Sequence, residues 1–411
     1  MILNKKKNIK IRNEFPIFKK KINGYPLIYF DNSSTTQKPK ILIKKIKYYY
    51  FNLNSNVNRN NTFLNFKNSY YIKKCRKEIK KFINAKNYKE IIFTKSTTES
   101  INLISKSLDF FFKKNDEIII SILEHHSNIL PWQILCFKKQ LKLKILKINK
   151  KFNISIKKLK SKLSKKTKLI ALTHVSNVFG TILPIKKIVE IVKNYNKDII
   201  IVLDGAQSIS HFKINVKKLN IDFYVFSAHK IYGPTGLGIL YGKKKLLNKM
   251  KCYQYGGGMI KKYTYKKSYF LNIPNKFEAG TLNISAIFSF LYIIKYINKI
   301  NINYINIYEN KITNYLKKKL LNNKKIILYN KNKINSTSII SFNIKNIYNY
   351  DIGNMLNNYS IYVRTGYHCA LPLFKYLKLK GTIRISLGIY NNIEEIDKFY
   401  FFLLKIIKLL Y

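Results

Sequence analysis

The sequence is poor in acid: 19 Asp and Glu stand against 78 Lys and Arg in 411 residues, a formal net charge of +59. Clustered Lys and Arg would neutralise phosphates and release counterions, which brings a basic nucleic-acid-binding module into consideration. The lysines, however, are spread along the whole chain and form no single stripe or tail. Lys, Asn, Ile, Tyr and Phe are raised together, as an AT-rich coding sequence would produce, and the excess charge reads as solvated surface. No specific nucleic-acid partner is expected, only self-repulsion at low salt and incidental adhesion to polyanions. Cysteine is also scarce. Cys75, Cys136, Cys252 and Cys369 lie far apart and form no CxxC pair, which argues against a zinc site and a disulfide framework and fits a reducing compartment. No metal is expected. No run of about 18 uninterrupted apolar residues occurs, and the N-terminal MILNKKKNIKIRNEF lacks an apolar h-region. The chain therefore reads as soluble and cytoplasmic, without a membrane partner.

What is present argues for a folded enzyme. Hydrophobic residues make up 46% of the chain and apolar runs recur from about residue 27 onward, which excludes wholesale disorder. Between about residues 90 and 245, the short runs EIIFT, DEIIISIL, KLIALTHV, DIIIVLD, IDFYVFSA and GILYG alternate with longer amphipathic stretches. That alternation predicts an α/β domain with a largely parallel sheet. After about residue 285 the pattern changes to a long helical stretch, then SIISFNI, a helix near YDIGNMLNN, IYVRTG, GTIRISLG and a terminal amphipathic helix, a second α+β domain. The expected division is an N-terminal segment, 1–25, packing with the small domain; a large domain, 26–285; and a small domain, 286–411.

In parallel sheets ligands collect beyond the carboxyl ends of strands. Five polar clusters follow strand-like runs here: STTES, EHHSN, HVSN, DGAQ and SAHK. Lys230 in SAHKIYGPTG follows a buried-looking strand, where a desolvated amine can form a Schiff base with an aldehyde cofactor. Asp204 ends another strand, either as a turn or N-cap residue or as the partner of a pyridinium nitrogen. Gln207 stands one turn further on. STTES opens a helix, so its hydroxyls and free N–H groups either cradle a phosphate or form a capping box. His125 offers a ring able to stack on a flat cofactor, and Asn177 lies near the same edge.

The ordered motifs EHHSNILPWQ, THVSNVFGT, LDGAQS, SAHKIYGPTGLGILYG, FEAGTLN, RTGYHCALPL and GTIRISLG resemble the class V, fold type I pyridoxal-phosphate enzymes, and more narrowly the SufS-type (group II) cysteine desulfurases. The likeness runs from YFDNSSTTQKP at residue 29 to the terminal helix. It implies a homodimer that holds pyridoxal 5'-phosphate on Lys230. Asp204 would meet the ring nitrogen, Gln207 the ring oxygen and His125 the ring face, while Thr98, Ser227 and His229 would hold the phosphate. Thr281 would reach the phosphate of the other subunit. Arg384 would bind the substrate carboxylate as a bidentate fork, with Asn177 orienting carboxylate and ring. Cys369, flanked by Arg364 and His368, would be the thiol that takes sulfur from L-cysteine, leaving a persulfide and alanine. Sulfur would pass to a SufE- or SufU-type acceptor and Suf scaffold proteins for iron-sulfur cluster assembly.

The likeness is incomplete in places. NRNNT at 58–62 replaces HRGIH, keeping Arg59; Tyr367 replaces a histidine; Leu282 replaces a proline; and YGGGMI is one residue short. These changes bear on turnover rate more than on reaction type. A selenocysteine lyase, which needs the same geometry, and a slow cofactor-binding scaffold are the alternative readings.

Overall fold

The structure is a computed structural model describing residues 5–57, 62–149, 152–331 and 335–410. The NRNNT substitutions at 58–61, Arg59 among them, lie outside the described residues. A seven-stranded sheet is built from β1 (Ile91–Thr94), β2 (Glu117–Ser121), β3 (Lys142–Leu146), β4 (Thr167–Thr173), β5 (Ile200–Asp204), β6 (Phe223–Ser227) and β7 (Gly238–Gly242). Its strand order is β1-β7-β6-β5-β4-β2-β3. Only β7 runs against its neighbours, β1 and β6; all other pairs are parallel. The predicted α/β class and mostly parallel sheet are therefore what is found.

The central strands read as continuous apolar runs because both faces are covered. Alternate side chains enter two separate cores: Ile201, Leu203, Tyr224 and Phe226 pack on one face, and Ile200, Val202, Phe223 and Val225 on the other. The edge strand β3 escaped the sequence reading. Its KLKIL places lysines at 142 and 144, and this half-exposed pattern is how an edge strand discourages further pairing.

A second, four-stranded antiparallel sheet comprises β8 (Ile326–Leu328), β9 (Ile339–Ile344), β10 (Arg364–Gly366) and β11 (Thr382–Ser386), in the order β8-β9-β11-β10. The terminal helix Ile393–Leu410 shares its core through Ile396, Phe399 and Leu403. The helical stretch expected after residue 285 is two helices, Ile284–Ile300 and Ile302–Leu321, divided at Asn301. Asn301 adopts a φ of 81° and its side chain caps the second helix by accepting from the Asn303 N–H at 3.0 Å. Asparagine tolerates this backbone where most residues do not. The first of these helices packs in the large-sheet core, where Phe288 meets Tyr71 with ring centres 4.8 Å apart.

The N-terminal region joins both bodies. Phe15 packs edge-on against Tyr390 at 4.6 Å and Tyr232 at 5.8 Å. Ile28–Tyr29 pairs in parallel with Ile361–Tyr362, and Asp31 bridges to Ser386 on β11. These contacts carry DNSST onto the carboxyl edge of the large sheet.

Gly205, directly after β5, shows how tightly that edge is built. A Cβ there would stand 2.0 Å from the ring of Tyr224, which is fully buried and bonded through its hydroxyl to Ser208 at 2.7 Å. Gly205→Ala is expected to cost about 1–3 kcal/mol by overpacking. Urea denaturation of the two proteins checks this, and equal midpoints would show that the Tyr224 ring yields.

Candidate active site

Six strands end at one edge of the large sheet, and the turns that follow five of them line a single cavity of about 280 Å³. Thr98, His125, Asn177, Asp204, Gln207, Ser227, His229, Lys230, Cys369 and Arg384 all face it. Of the catalytic, cofactor and substrate residues expected from the sequence, Thr281 alone among the described residues lies elsewhere. It is exposed, on the loop after Glu278.

Asp204 is buried at the end of β5. Burial raises its carboxyl above the ordinary value, opposed by the Ala206 N–H, which donates to Oδ1 at 2.9 Å, and by Lys230. The turn role and the cavity-facing role thus coexist. Lys230 keeps part of its surface open to the cavity, while desolvation lowers its amine below the usual lysine range and Asp204 pulls it back up. Thr36 fixes the peptide groups on both sides of this lysine. Its N–H and hydroxyl donate to the His229 carbonyl at 3.1 and 3.0 Å, and its hydroxyl accepts from the Tyr232 N–H at 2.8 Å. Lys38, whose amine burial lowers to about 7, donates to the same carbonyl at 3.0 Å.

At the start of helix Thr97–Ser107 the capping reading of STTES is found, although Glu99 closes back on Lys95 and not on the cap residue itself. Ser96 is the cap, accepting from the Glu99 N–H at 3.2 Å, and Glu99 accepts from the Lys95 N–H. Thr97 and Thr98 are left for the cavity. Thr97 donates its N–H to Ser227 Oγ at 2.8 Å and shares a hydroxyl contact of 2.7 Å with it. Thr98 pairs with Ser127 at 2.7 Å, and Ser127 in turn meets Nδ1 of His125 at 3.0 Å. Burial first, then Lys230, lower the His125 pKa to about 3, so its ring is neutral. His229 is likewise lowered to about 4 by burial.

Gln207 donates from Nε2 to the Ser33 carbonyl at 2.9 Å, which leaves its second N–H for the cavity. Arg384 on β11 is bonded to Asp31 at 2.7 Å, Ser34 at 2.8 Å and the Asn177 carbonyl at 3.0 Å. Its Nε is buried with no protein partner. Arg364 donates to the same Ser34 hydroxyl at 2.6 Å. Cys369 is half-buried on the loop after β10, and its electrostatic partners are Lys230 and Arg384. His368 contributes no positive charge beside it, because burial drives its pKa well below the usual value.

The roles of Asp31, Ser34, Thr36, Ser127 and Glu124 are not legible in the sequence. These residues lie within YFDNSSTTQKP and EHHSN, but nothing in one dimension says that residues 31–36 meet residues 227–232 and 384. Glu124 is fully buried. It accepts from Ser121 and from Asn128 Nδ2 at 2.6 Å, and Asn128 accepts from the Trp132 indole at 2.9 Å, so the turn carrying His125 is held from within.

The chain belongs to the class-V aminotransferase family, whose model matches residues 28–399. Curated relatives that it resembles include cysteine desulfurases. It is 44% identical over 402 residues to the cysteine desulfurase of Wigglesworthia glossinidia brevipalpis, covering 97% of each chain. It is 37% identical over 388 residues to that of Synechococcus elongatus, a longer protein of which it spans 62%. Among solved structures, the apo cysteine desulfurase from Thermococcus onnurineus NA1 superposes with a TM-score of 0.92 at 34% identity, covering 97% of this chain and 98% of that one.

Glu124 yields a pH prediction. Burial raises its carboxyl to about 8, whereas an unfolded glutamate titrates near about 4.3. Between those values the folded chain binds the extra proton, so this group's contribution is full below about pH 4.3 and is lost as pH rises through about 8. Glu124→Gln, which stays neutral, should gain stability relative to the wild type between about pH 5 and 8.5 in urea titrations. A difference that does not change with pH would mean the carboxyl is ionised in the folded protein.

Proposed function

We propose that the chain is a pyridoxal-phosphate-dependent cysteine desulfurase that converts L-cysteine to L-alanine and stores the sulfur on Cys369 as a persulfide. The observation that carries this reading is the convergence of Lys230, Asp204, His125, Arg384 and Cys369 on one cavity. The cavity suits the cofactor: an amine with a lowered pKa, a buried carboxylate, a neutral imidazole and hydroxyls at a helix N-terminus are the groups an aromatic aldehyde phosphate requires. When bound, the cofactor supplies an electron sink for the carbon next to the amine.

The chain's own groups divide the rest of the work. Lys230 would hold the cofactor, and its amine is the group that would move the α proton. Asp204 would keep the ring nitrogen charged, Gln207 would meet the ring oxygen, His125 would stack on the ring, and Thr98, Ser227 and His229 would hold the phosphate, with Thr97 and Ser127 bracing those hydroxyls. Arg384 would bind the substrate carboxylate, and Asn177 and Asp31 fix its guanidinium at the cavity wall. The Cys369 thiolate attacks the substrate sulfur. The S–S bond forms as the carbon–sulfur bond breaks, and the carbon takes up a proton to become alanine.

The exposed position of Thr281, outside the cavity of its own chain, suits a role in the phosphate site of a second subunit of a homodimer. A half-buried nucleophile on a short, tied-down loop suits delivery to a dedicated acceptor of the SufE or SufU type, feeding Suf scaffold proteins that assemble iron-sulfur clusters. Four free thiols fit a reducing, cytoplasmic setting, and among the described residues no helix is long and apolar enough to cross a membrane.

Protein reconstituted with pyridoxal phosphate and given L-cysteine plus reductant should release alanine and sulfide. Cys369→Ala and Lys230→Ala should both fail, with the cofactor's visible absorbance lost only from the lysine variant. A Cys369→Ala protein as active as wild type would replace this reading with a lyase or aminotransferase. Arg384→Ala should lower kcat/KM for cysteine by roughly two orders of magnitude, through loss of a buried charge-assisted pairing; an unchanged KM and kcat would place the carboxylate on Arg364 instead.

A further inference from the structure

The loop carrying Cys369 has an uncommon backbone. His368 and Cys369 are consecutive non-glycine residues in the left-handed region, at φ 49° and 56°. L side chains disfavour that conformation, and it persists only where the surroundings over-determine it. On the side preceding the thiol, Asn177 Nδ2 donates to the His368 carbonyl at 2.7 Å, and His368 Nε2 meets the Thr382 hydroxyl at 2.9 Å. At Cys369 and beyond, the ties run to His126. Its main-chain N–H donates to the Cys369 carbonyl at 2.8 Å, and its imidazole Nε2 accepts from the Leu371 N–H at 3.0 Å.

Leu371 opens the helix Leu371–Leu377, whose N-cap residue, Ala370, has no side chain able to cap it. The first amide of a helix has no partner within the helix, and here an imidazole from another part of the chain closes it. The same turn places His125 in the cavity and is held by Glu124, Asn128 and Trp132. Because Nε2 accepts from the Leu371 N–H, the proton of the neutral ring belongs on Nδ1.

We propose that His126 is a positioning residue for sulfur transfer: by capping Leu371 it holds the Cys369 thiol at the cavity and couples the nucleophile to the turn that carries His125. This rests on Cys369 being the nucleophile.

The test uses holoenzyme carrying His126→Ala or His126→Gln, the latter placing an amide oxygen near the position of Nε2. Three quantities are measured: kcat and KM for cysteine, the cofactor's visible absorbance, and the rate at which iodoacetamide alkylates Cys369, located by mass spectrometry. His126→Ala should keep the absorbance and a KM within about two-fold of wild type, lose kcat roughly ten- to a hundred-fold through misplacement of the thiol, and alkylate at a rate changed several-fold. His126→Gln should recover most of each loss. Wild-type kcat and alkylation in His126→Ala overturn the inference, as does a glutamine variant as impaired as the alanine one. Loss of cofactor absorbance in His126→Ala would make the role merely structural and overturns it as well. Activity in Cys369→Ala would instead sink the nucleophile reading itself, a result distinguishable because it does not depend on residue 126.

Discussion

Arg384 is 2% exposed, and its guanidinium is bonded in three directions: to Asp31 and Ser34 in the stretch after Ile28–Tyr29, and to the carbonyl of Asn177 beyond β4, while its own backbone lies in β11 of the small sheet. A buried cation left without partners costs several kcal/mol, on the order of 3–5 when one member of a buried pair is removed. The three parts of the chain that meet at the cavity are therefore bound together by the need to satisfy one charge. Tyr232, Tyr390 and Phe15 form an aromatic cluster that also ties the N-terminal region to both sheets, with ring centres 4.6–6.1 Å apart. The cavity exists because this junction holds its walls in register.

The interior of the site tolerates few charges. Burial lowers the pKa of His125, His229 and His368 and raises the Glu124 carboxyl to about 8, while Asp204 and Lys230 oppose each other's burial shifts and Asp31 pairs with Arg384. The formal +59 of the chain has little part in this. Exposed lysines act through water and salt over screened distances, whereas Lys230 and Asp204 act on each other where water has been excluded.

Much of the architecture was readable in one dimension. The apolar runs of β2, β5 and β6 are long enough, and bounded clearly enough by DGAQ and SAHK, to declare a parallel sheet and the edge on which its ligand residues gather. What escaped was whatever depended on a neighbour. KLKIL looks polar until it is seen as an edge strand with one face in solvent. The helical stretch after residue 285 reads as continuous until Asn301 turns out to adopt a left-handed conformation. Glu124 and His126 sit inside a motif that was recognised for His125 alone, since their roles are defined by Asn128, Trp132 and Leu371.

The sequence by itself determined the chemistry available: a lysine, an aspartate and a cysteine in a recognisable order, after strands whose periodicity announces them. Only the tertiary structure decided the environment that makes those groups useful. Whether Lys230 has a lowered pKa, whether His125 is neutral, and whether the Cys369 loop is tied to the His125 turn all depend on which distant segments exclude water from the same small volume. Desolvation and hydrogen-bond pairing are properties of that volume and have no counterpart along the chain.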